Sequence, residues 1–242
     1  MASFRNGGLR RIFAAGAAGL AAAFVLSAGG AHAAVTGRCA LPDAYFNILG
    51  DLDRTERLVT GRRPVRIVVL GPVIGVGEGD KPVLERALEK RLPGINFEII
   101  QALSPGLAED DFEHLRSLVA ASTPDLVIWQ VGVRDAMASS DVDDFEEVLD
   151  RAAQWIEAQG PDLILVDPPF VPHVKHERIY VPYVGEIDAM SQSEGVPVMR
   201  RYAAMQHLNS VASQNRIAPS DAVLNPCMPE IMAEAIGRAV AK

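Results

Sequence analysis

The sequence predicts an α/β fold in which a five-stranded parallel sheet lies between two layers of helices. Short apolar runs rich in β-branched residues, such as residues 65–70, are typical of strands that are buried on both faces. Stretches with apolar residues at helical spacing separate these runs, and the alternation repeats five times along the chain. A glycine-rich segment follows the first run, as expected at the carboxyl edge of such a sheet. Together these patterns indicate a three-layer domain with both sheet faces covered.

Each element is predicted from its local pattern. An irregular set of apolar residues indicates a leading helix within residues 42–60. Strands are expected at 65–70, 95–101, 125–131, 162–166 and 196–199. Helices are expected at 81–92, 108–121, 141–159, 178–194, 201–212 and 226–240. Short connections and right-handed crossovers then favour a single flavodoxin-like, doubly wound domain.

The first 33 residues have the composition of an export signal. Three arginines among the first eleven residues precede an apolar, Ala/Gly-rich stretch at 12–26, and Ala31-His32-Ala33 offers small residues at the cleavage positions. This pattern predicts a signal peptide at 1–33 and a mature domain at 34–242.

The predicted signal places the mature protein in the periplasm or outside the cell. Arg10-Arg11 fits the twin-arginine route, although Leu9 stands where Ser or Thr is usual, so both the Sec and the twin-arginine routes remain open. An uncleaved membrane anchor is the alternative. Because the apolar stretch is short and weakly apolar, we expect cleavage and no membrane insertion afterwards.

The charge of the chain excludes two classes of partner. The formal net charge is −8, and removal of residues 1–33 takes away three arginines and no acid, which makes it −11. A protein this acidic offers no electrostatic surface for nucleic acid or for anionic lipid. We therefore expect neither as a partner.

The two cysteines, Cys39 and Cys227, lie near the two ends of the mature domain. An even number of cysteines in an exported protein favours a disulfide. Two separate thiols are the alternative.

No cofactor or metal is expected. Gly75, Gly77 and Gly79 follow the first strand with the spacing G-x-G-x-G, which matches neither nucleotide-binding fingerprint. His173 and His176 are three residues apart, but no third ligand has a convincing spacing.

The segments that follow the strands resemble blocks of the SGNH/GDSL hydrolase family. The best match is Leu126-Val127-Ile128-Trp129-Gln130-Val131-Gly132, which looks like a block of an exported bacterial group of this family. Two further segments also resemble that group: Asp167-Pro168-Pro169 followed by Val171-Pro172, and Gly195-Val196-Pro197-Val198 followed by Arg200-Arg201. The resemblance implies a hydrolase fold and ester chemistry. In that chemistry a Ser after the first strand attacks the ester, a Gly N–H and an Asn complete the oxyanion hole, and a His oriented by an Asp accepts the Ser proton.

Set against that pattern, three catalytic side chains are missing. Val73 stands at the position of the Ser, Arg134 at that of the Asn and Leu224 at that of the His, while Gly106 and Asp221 are retained. The resemblance thus implies a protein of hydrolase fold with no intact catalytic set.

The first hypothesis is a non-catalytic protein whose cleft binds a small anionic or glycan ligand, or a periplasmic protein partner. Its binding residues would be Gly71, Val73, Gly106, Gly132, Arg134 and Asp221. An Arg at the Asn position supplies a charged fork suited to carboxylate or phosphate. The alternative for Arg134 is a salt bridge to Asp135 or Asp221 that only fills the site.

The second hypothesis is an active carboxylester or O-acetyl hydrolase with relocated catalytic residues. Ser104 is the first hydroxyl after the first strand, and His173 is the candidate base. Triads are defined by geometry and not by position in the chain. His114 and His207 lie in helical patterns and are interpreted as structural.

Overall fold

The computed structural model describes residues 35–72, 81–171, 177–215 and 225–241. The strands in these ranges are β1 (Val65–Leu70), β2 (Phe97–Ala102), β3 (Leu126–Gln130), β4 (Asp162–Val166) and β5 (Val198–Met199). They form a sheet of order β2-β1-β3-β4-β5 in which every pair is parallel. This is the flavodoxin-like order, so the predicted fold class is confirmed.

Eight α-helices lie in the described ranges. They are α1 (Asp53–Thr60), α2 (Val83–Arg91), α3 (Ala108–Ser122), α4 (Val133–Ala138), α5 (Val142–Gln159), α6 (Glu177–Ser193), α7 (Arg201–Gln214) and α8 (Met228–Val240). Short 3-10 helices occur at Gly37–Cys39, Asp43–Phe46 and Asn225–Cys227. None of the helices in these ranges is long and apolar enough to cross a bilayer.

The strand side chains alternate between two apolar cores, one on each face of the sheet. In β1, Ile67 and Val69 pack with the core that contains residues of α2, α7 and α8, whereas Val68 and Leu70 pack with residues of α3, α5 and α6. Successive side chains of a strand point to opposite faces, so a strand covered on both sides is apolar at most positions. This is why the strands appear in the sequence as continuous apolar runs.

Apart from shifts of one or two residues at the ends of several elements, the structure differs from the sequence-based prediction in three elements. Within 42–60 only α1 is α-helical, and Gly50, with a φ of +96°, lies in the backbone before it. The helix α4 was not predicted. β5 has two residues instead of the four expected, because Pro197 has no N–H to donate and pairing begins at Val198.

The predicted disulfide between Cys39 and Cys227 is confirmed. Their Cα atoms are 5.3 Å apart, and both residues are buried. The bond joins the segment before the sheet to the start of α8, so it links the two ends of the described domain. The alternative of two separate thiols is wrong.

Candidate functional site

A cavity of about 250 Å³ lies at the carboxyl edge of the sheet, between the segments that follow β1, β2 and β3. In a sheet of this order the connections diverge between β1 and β3, and ligands of such folds bind at that point. Two larger cavities lie elsewhere: about 390 Å³ beside α1 and the amino end of β4, and about 650 Å³ between α2 and α8. We take the first cavity as the candidate site because of its position in the fold.

Two glycines shape this edge of the sheet. Gly71 has a φ of +128°, and a Cβ at this position would come within 2.6 Å of the Gln130 Cβ. Gly132 has a φ of +89° and begins α4 directly after β3. Only glycine adopts these conformations without strain, so both residues position the backbone around the cavity.

Gln130, the last residue of β3, ties three segments together. Its Nε2 donates to the carbonyl of Pro72 at 2.6 Å, and its Oε1 accepts a hydrogen bond from Nη1 of Arg201 at 2.8 Å. Nε of Arg201 in turn donates to the carbonyl of Asp167 at 2.9 Å. The ends of β1, β3 and β4 are therefore connected through two buried side chains, both from the cavity wall.

Asp167 and Arg201 are buried ionisable groups beside this network. Burial raises the pKa of the Asp167 carboxyl to about 7, although the N–H of Tyr202 and the charge of Arg201 oppose the shift. Burial likewise lowers the pKa of Arg201 to about 10, with the charge of Asp167 acting in the opposite direction. Oδ1 of Asp167 accepts the N–H of Tyr202 at 2.8 Å and so caps the first turn of α7.

The raised pKa of Asp167 predicts a specific pH dependence of stability. Between about pH 4 and pH 7 the folded protein keeps the Asp167 proton and the unfolded chain does not, so the free energy of unfolding falls as the pH rises. The full contribution is on the order of 4 kcal/mol, at about 1.4 kcal/mol per unit of pKa. Asp167→Asn retains an oxygen that can accept from Tyr202 and should lose this part of the dependence.

Urea denaturation at pH 5 and pH 7.5 measures the effect. Burial also raises the pKa of Asp111, Asp135 and Glu186, and these residues are the same in wild type and Asp167→Asn. The difference in pH dependence between the two proteins therefore reports Asp167. Asp144→Asn, at an exposed position, serves as the control. Equal pH dependence in wild type and Asp167→Asn would refute the prediction.

Ser104 also lines the cavity and belongs to a second set of hydrogen bonds. Its Oγ donates to Oδ1 of Asp111 at 2.7 Å, and the indole Nε1 of Trp129 donates to Oδ2 of the same carboxylate at 3.0 Å. Asp111 and Trp129 are buried, and burial raises the pKa of Asp111 against the effect of these two hydrogen bonds. The Ser104 hydroxyl is thus held by a fixed carboxylate, and no histidine of the described ranges bonds to it.

Arg134 and Asp135 are neighbours in α4 with different surroundings. Asp135 is buried, and its Oδ1 accepts the N–H of Ala108 at 2.9 Å. Arg134 is exposed, lines the cavity and forms no ion pair with Asp135. The alternative that Arg134 only fills the site through a salt bridge to Asp135 is therefore wrong. Asp221, the other partner considered, lies outside the described residues.

Several residues singled out in the sequence lie outside the described ranges. They are Val73, His173, His176, Asp221 and Leu224. Of the others, Gly106 and Gly132 line the cavity, and Gly71 lies buried against Gln130. His207 contacts the Tyr45 ring at 5.1 Å, and His114 is a half-buried residue of α3. Within the described part of the chain, no three His, Cys, Asp or Glu side chains are placed to hold a metal ion.

The sequence analysis missed the polar residues Asp111, Gln130, Asp167 and Arg201 as members of one site. Gln130 carried a signal, since it is a polar residue in an otherwise apolar strand. Arg201 comes two residues after the end of β5 and begins α7, so it lies near the carboxyl edge of the sheet. Nothing in its local pattern distinguished it from its neighbour Arg200.

The model of the Non-GDSL lipase-like family matches residues 38–242 of this sequence, which is nearly the whole described domain. The chain belongs to this family. No curated protein matches the sequence of this family member significantly.

Solved structures of hydrolases share the fold of this family member. The lipase/acylhydrolase from Enterococcus faecalis has a TM-score of 0.52 and 21% identity, with 72% of this chain and 94% of that chain covered. An acetylxylan esterase from Geobacillus stearothermophilus has a TM-score of 0.54 and 17% identity, with coverages of 74% and 94%. TesA has a TM-score of 0.51 and 19% identity, with coverages of 70% and 97%. These structures are SGNH/GDSL hydrolases, so the family resemblance is confirmed at the level of the fold.

Proposed function

We propose that this chain is an exported, non-catalytic member of the SGNH/GDSL fold whose cleft binds a small anionic or glycan ligand, or a protein partner. One observation carries the proposal: Arg134 lies exposed at the cavity, at the position where the resemblance puts the Asn of the oxyanion hole. An Asn offers a neutral donor to a transient oxyanion. An Arg offers a permanent charge and several donors, which suits a stably bound anion.

The surroundings of Ser104 support the non-catalytic reading. A serine nucleophile needs a base that accepts its proton, and the base is usually a histidine held by a third group. The Ser104 hydroxyl instead donates to Asp111, which Trp129 also engages. An active carboxylester or O-acetyl hydrolase with Ser104 and His173 is the alternative, since Ser104 lines the cavity.

The proposed export rests on the predicted signal peptide at 1–33 together with the disulfide. Disulfides persist in oxidising compartments such as the periplasm and the extracellular space. Both observations favour a periplasmic or secreted protein.

The proposal predicts no serine-dependent ester hydrolysis. Turnover of 4-nitrophenyl acetate and butyrate by the purified protein should be the same, within about twofold, in wild type and Ser104→Ala. A true nucleophile would instead lose on the order of 10⁶-fold in kcat. Labelling with a serine-reactive fluorophosphonate, read by mass spectrometry, should find no modified serine.

Circular dichroism of wild type and Ser104→Ala is the control, because it tests whether any lack of turnover is caused by unfolding. Turnover that disappears in Ser104→Ala, or a label on Ser104, would establish the hydrolase alternative. A label on another serine would show that the nucleophile lies elsewhere in the chain.

A further inference from the structure

We infer that the ligand of the cavity is a small monocarboxylate with a short alkyl chain, anchored by the guanidinium of Arg201. This inference rests on the proposed binding function and specifies its ligand. The family resemblance includes Arg200-Arg201 after residues 195–198, but it gives Arg201 no role in the site.

Arg201 lines the cavity and has one unused donor group. The residue is only 8% exposed, and two of its nitrogens are engaged by Gln130 and by the carbonyl of Asp167. The third, Nη2, is buried and has no hydrogen-bond partner. A buried polar group without a partner is unfavourable, and a charged one more so.

Arg201 also forms no salt bridge with a described residue, and the acidic group whose charge acts on it, the buried Asp167 carboxyl, has a pKa raised to about 7. None of the ion pairs among the described residues includes Arg201. Its place in the first turn of α7 adds to the imbalance, because the helix dipole is positive at that end. An anion bound in the cavity would supply both the missing charge and the missing acceptor.

The polar side chains of Asp111 and Gln130 are already satisfied, and this favours a carboxylate over a glycan. Both oxygens of Asp111 accept hydrogen bonds, and both ends of the Gln130 amide are used. A glycan needs several free partners for its hydroxyls, whereas the available donors here are the guanidiniums of Arg134 and Arg201. Guanidinium donors match carboxylate oxygens in charge and geometry.

The size and the apolar wall define the rest of the ligand. The cavity of about 250 Å³ is smaller than most pockets for drug-sized molecules, so a ligand of few carbons fits it. Leu103, Val131 and Val133 contribute apolar side chains to its lining, and Leu103 is 69% exposed. A short alkyl chain would cover part of this surface.

Two features shape how the ligand binds. Nη2 of Arg201 is shielded from solvent, so contact with the ligand requires a small shift of this side chain along the cavity wall. Asp111 and Asp135 also line the cavity, so the guanidiniums of Arg134 and Arg201 have to offset these two carboxyls for an anion to bind.

Titration with sodium butyrate tests the inference, with butyramide as the neutral ligand of the same shape. Isothermal titration calorimetry should show saturable butyrate binding, and butyramide should bind at least tenfold more weakly. Arg201→Gln should weaken butyrate binding at least tenfold. The matched control is Arg200→Gln. Arg200 forms a salt bridge of 2.7 Å with Asp188 and does not line the cavity, so this variant should bind butyrate within twofold of wild type.

Butyrate binding by Arg134→Ala distinguishes the Arg201 anchor from the proposed binding function on which it rests. We expect a loss of about threefold, because Arg134 is exposed and its charge is screened by solvent. If Arg134→Ala abolished binding while Arg201→Gln bound normally, the Arg201 anchor would be wrong and anion binding by the cleft would stand. If no acid from formate to hexanoate bound to wild type, the inference would be overturned, and the ester assay would still decide the non-catalytic role.

A measurement on wild type keeps the inference testable if Arg201→Gln does not fold. In protein labelled with ¹⁵N-arginine, the Nε–Hε NMR signal of Arg201 is protected by its bond to the Asp167 carbonyl. Butyrate should shift this signal saturably, and butyramide should not. A signal that does not respond to butyrate would refute the anchor.

Discussion

Reduction of the Cys39–Cys227 disulfide is expected to lower the free energy of unfolding by about 5 kcal/mol. The two cysteines are separated by 188 residues, so the bond closes a loop that includes almost the whole domain. A cross-link of this length removes much of the conformational entropy of the unfolded chain. Because domains of this kind are stable by only about 5–15 kcal/mol, the bond accounts for a large part of the total.

Urea denaturation with and without a reductant measures this effect, and the double variant Cys39→Ala, Cys227→Ala provides a second route to it. The double variant should be destabilised to a similar extent and should not respond to the reductant. A loss below about 2 kcal/mol in both experiments would mean that the unfolded chain is already compact, contrary to the model of loop closure.

Neutralisation of Glu234 should destabilise the protein by about 3–5 kcal/mol, the usual range for breaking a buried ion pair. Oε2 of Glu234 accepts from Nε of Arg91 at 2.6 Å, and the two side chains are 2% and 8% exposed. Its Oε1 accepts from Nε of Arg238 at 2.7 Å. The pair joins α2 to α8, and the Arg91 side chain lies directly over Gly237. Glu234→Gln would leave Arg91 as a buried cation without an anion.

Glu230→Gln is the matched control, because Glu230 is an exposed residue one turn earlier in α8. It should change the free energy of unfolding by less than about 0.5 kcal/mol. Arg91→Met combined with Glu234→Gln should recover most of the loss, since the uncompensated charge is then absent. A loss below about 1 kcal/mol for Glu234→Gln alone would show that Arg91 finds another partner or reaches solvent.

The two results bear on different parts of the fold. The disulfide acts on the unfolded chain, whereas the Arg91–Glu234 pair acts in the folded state, where the packing of α2 against α8 has removed both charges from water. Neither lies at the carboxyl edge of the sheet. Their variants therefore test the scaffold without changing the cavity residues.

Part of the candidate site could be predicted from the sequence. The segments after β1, β2 and β3 were expected to meet because the carboxyl ends of parallel strands share one edge of a sheet. Gly106, Gly132 and Arg134 do line one cavity there. The resemblance was needed to interpret Arg134, since an arginine after a strand has no special meaning by itself.

The partners of Asp111 and Arg201 could not be predicted. Asp111 is one of three acidic residues in the first turn of α3, and its pattern is that of any solvated helix start. In the structure it is buried, and Trp129, 18 residues later in the chain, donates to it from β3. The contact of Arg201 with Gln130 spans 71 residues. Periodicity reports which face of an element is apolar, but it does not report which polar side chains meet across the sheet.

The sequence by itself determined the layers of this protein. The bounds of β1 and β4 follow from runs that are mainly apolar, because a strand buried on both faces is mostly apolar. The tertiary structure alone decided which ionisable groups lost their water. Asp167 and Arg201 have shifted pKa values because the ends of β3 and β4 and the start of α7 close around them. Burial of a charge is a property of the assembled fold and of residues far apart in the chain, so no local pattern contains it.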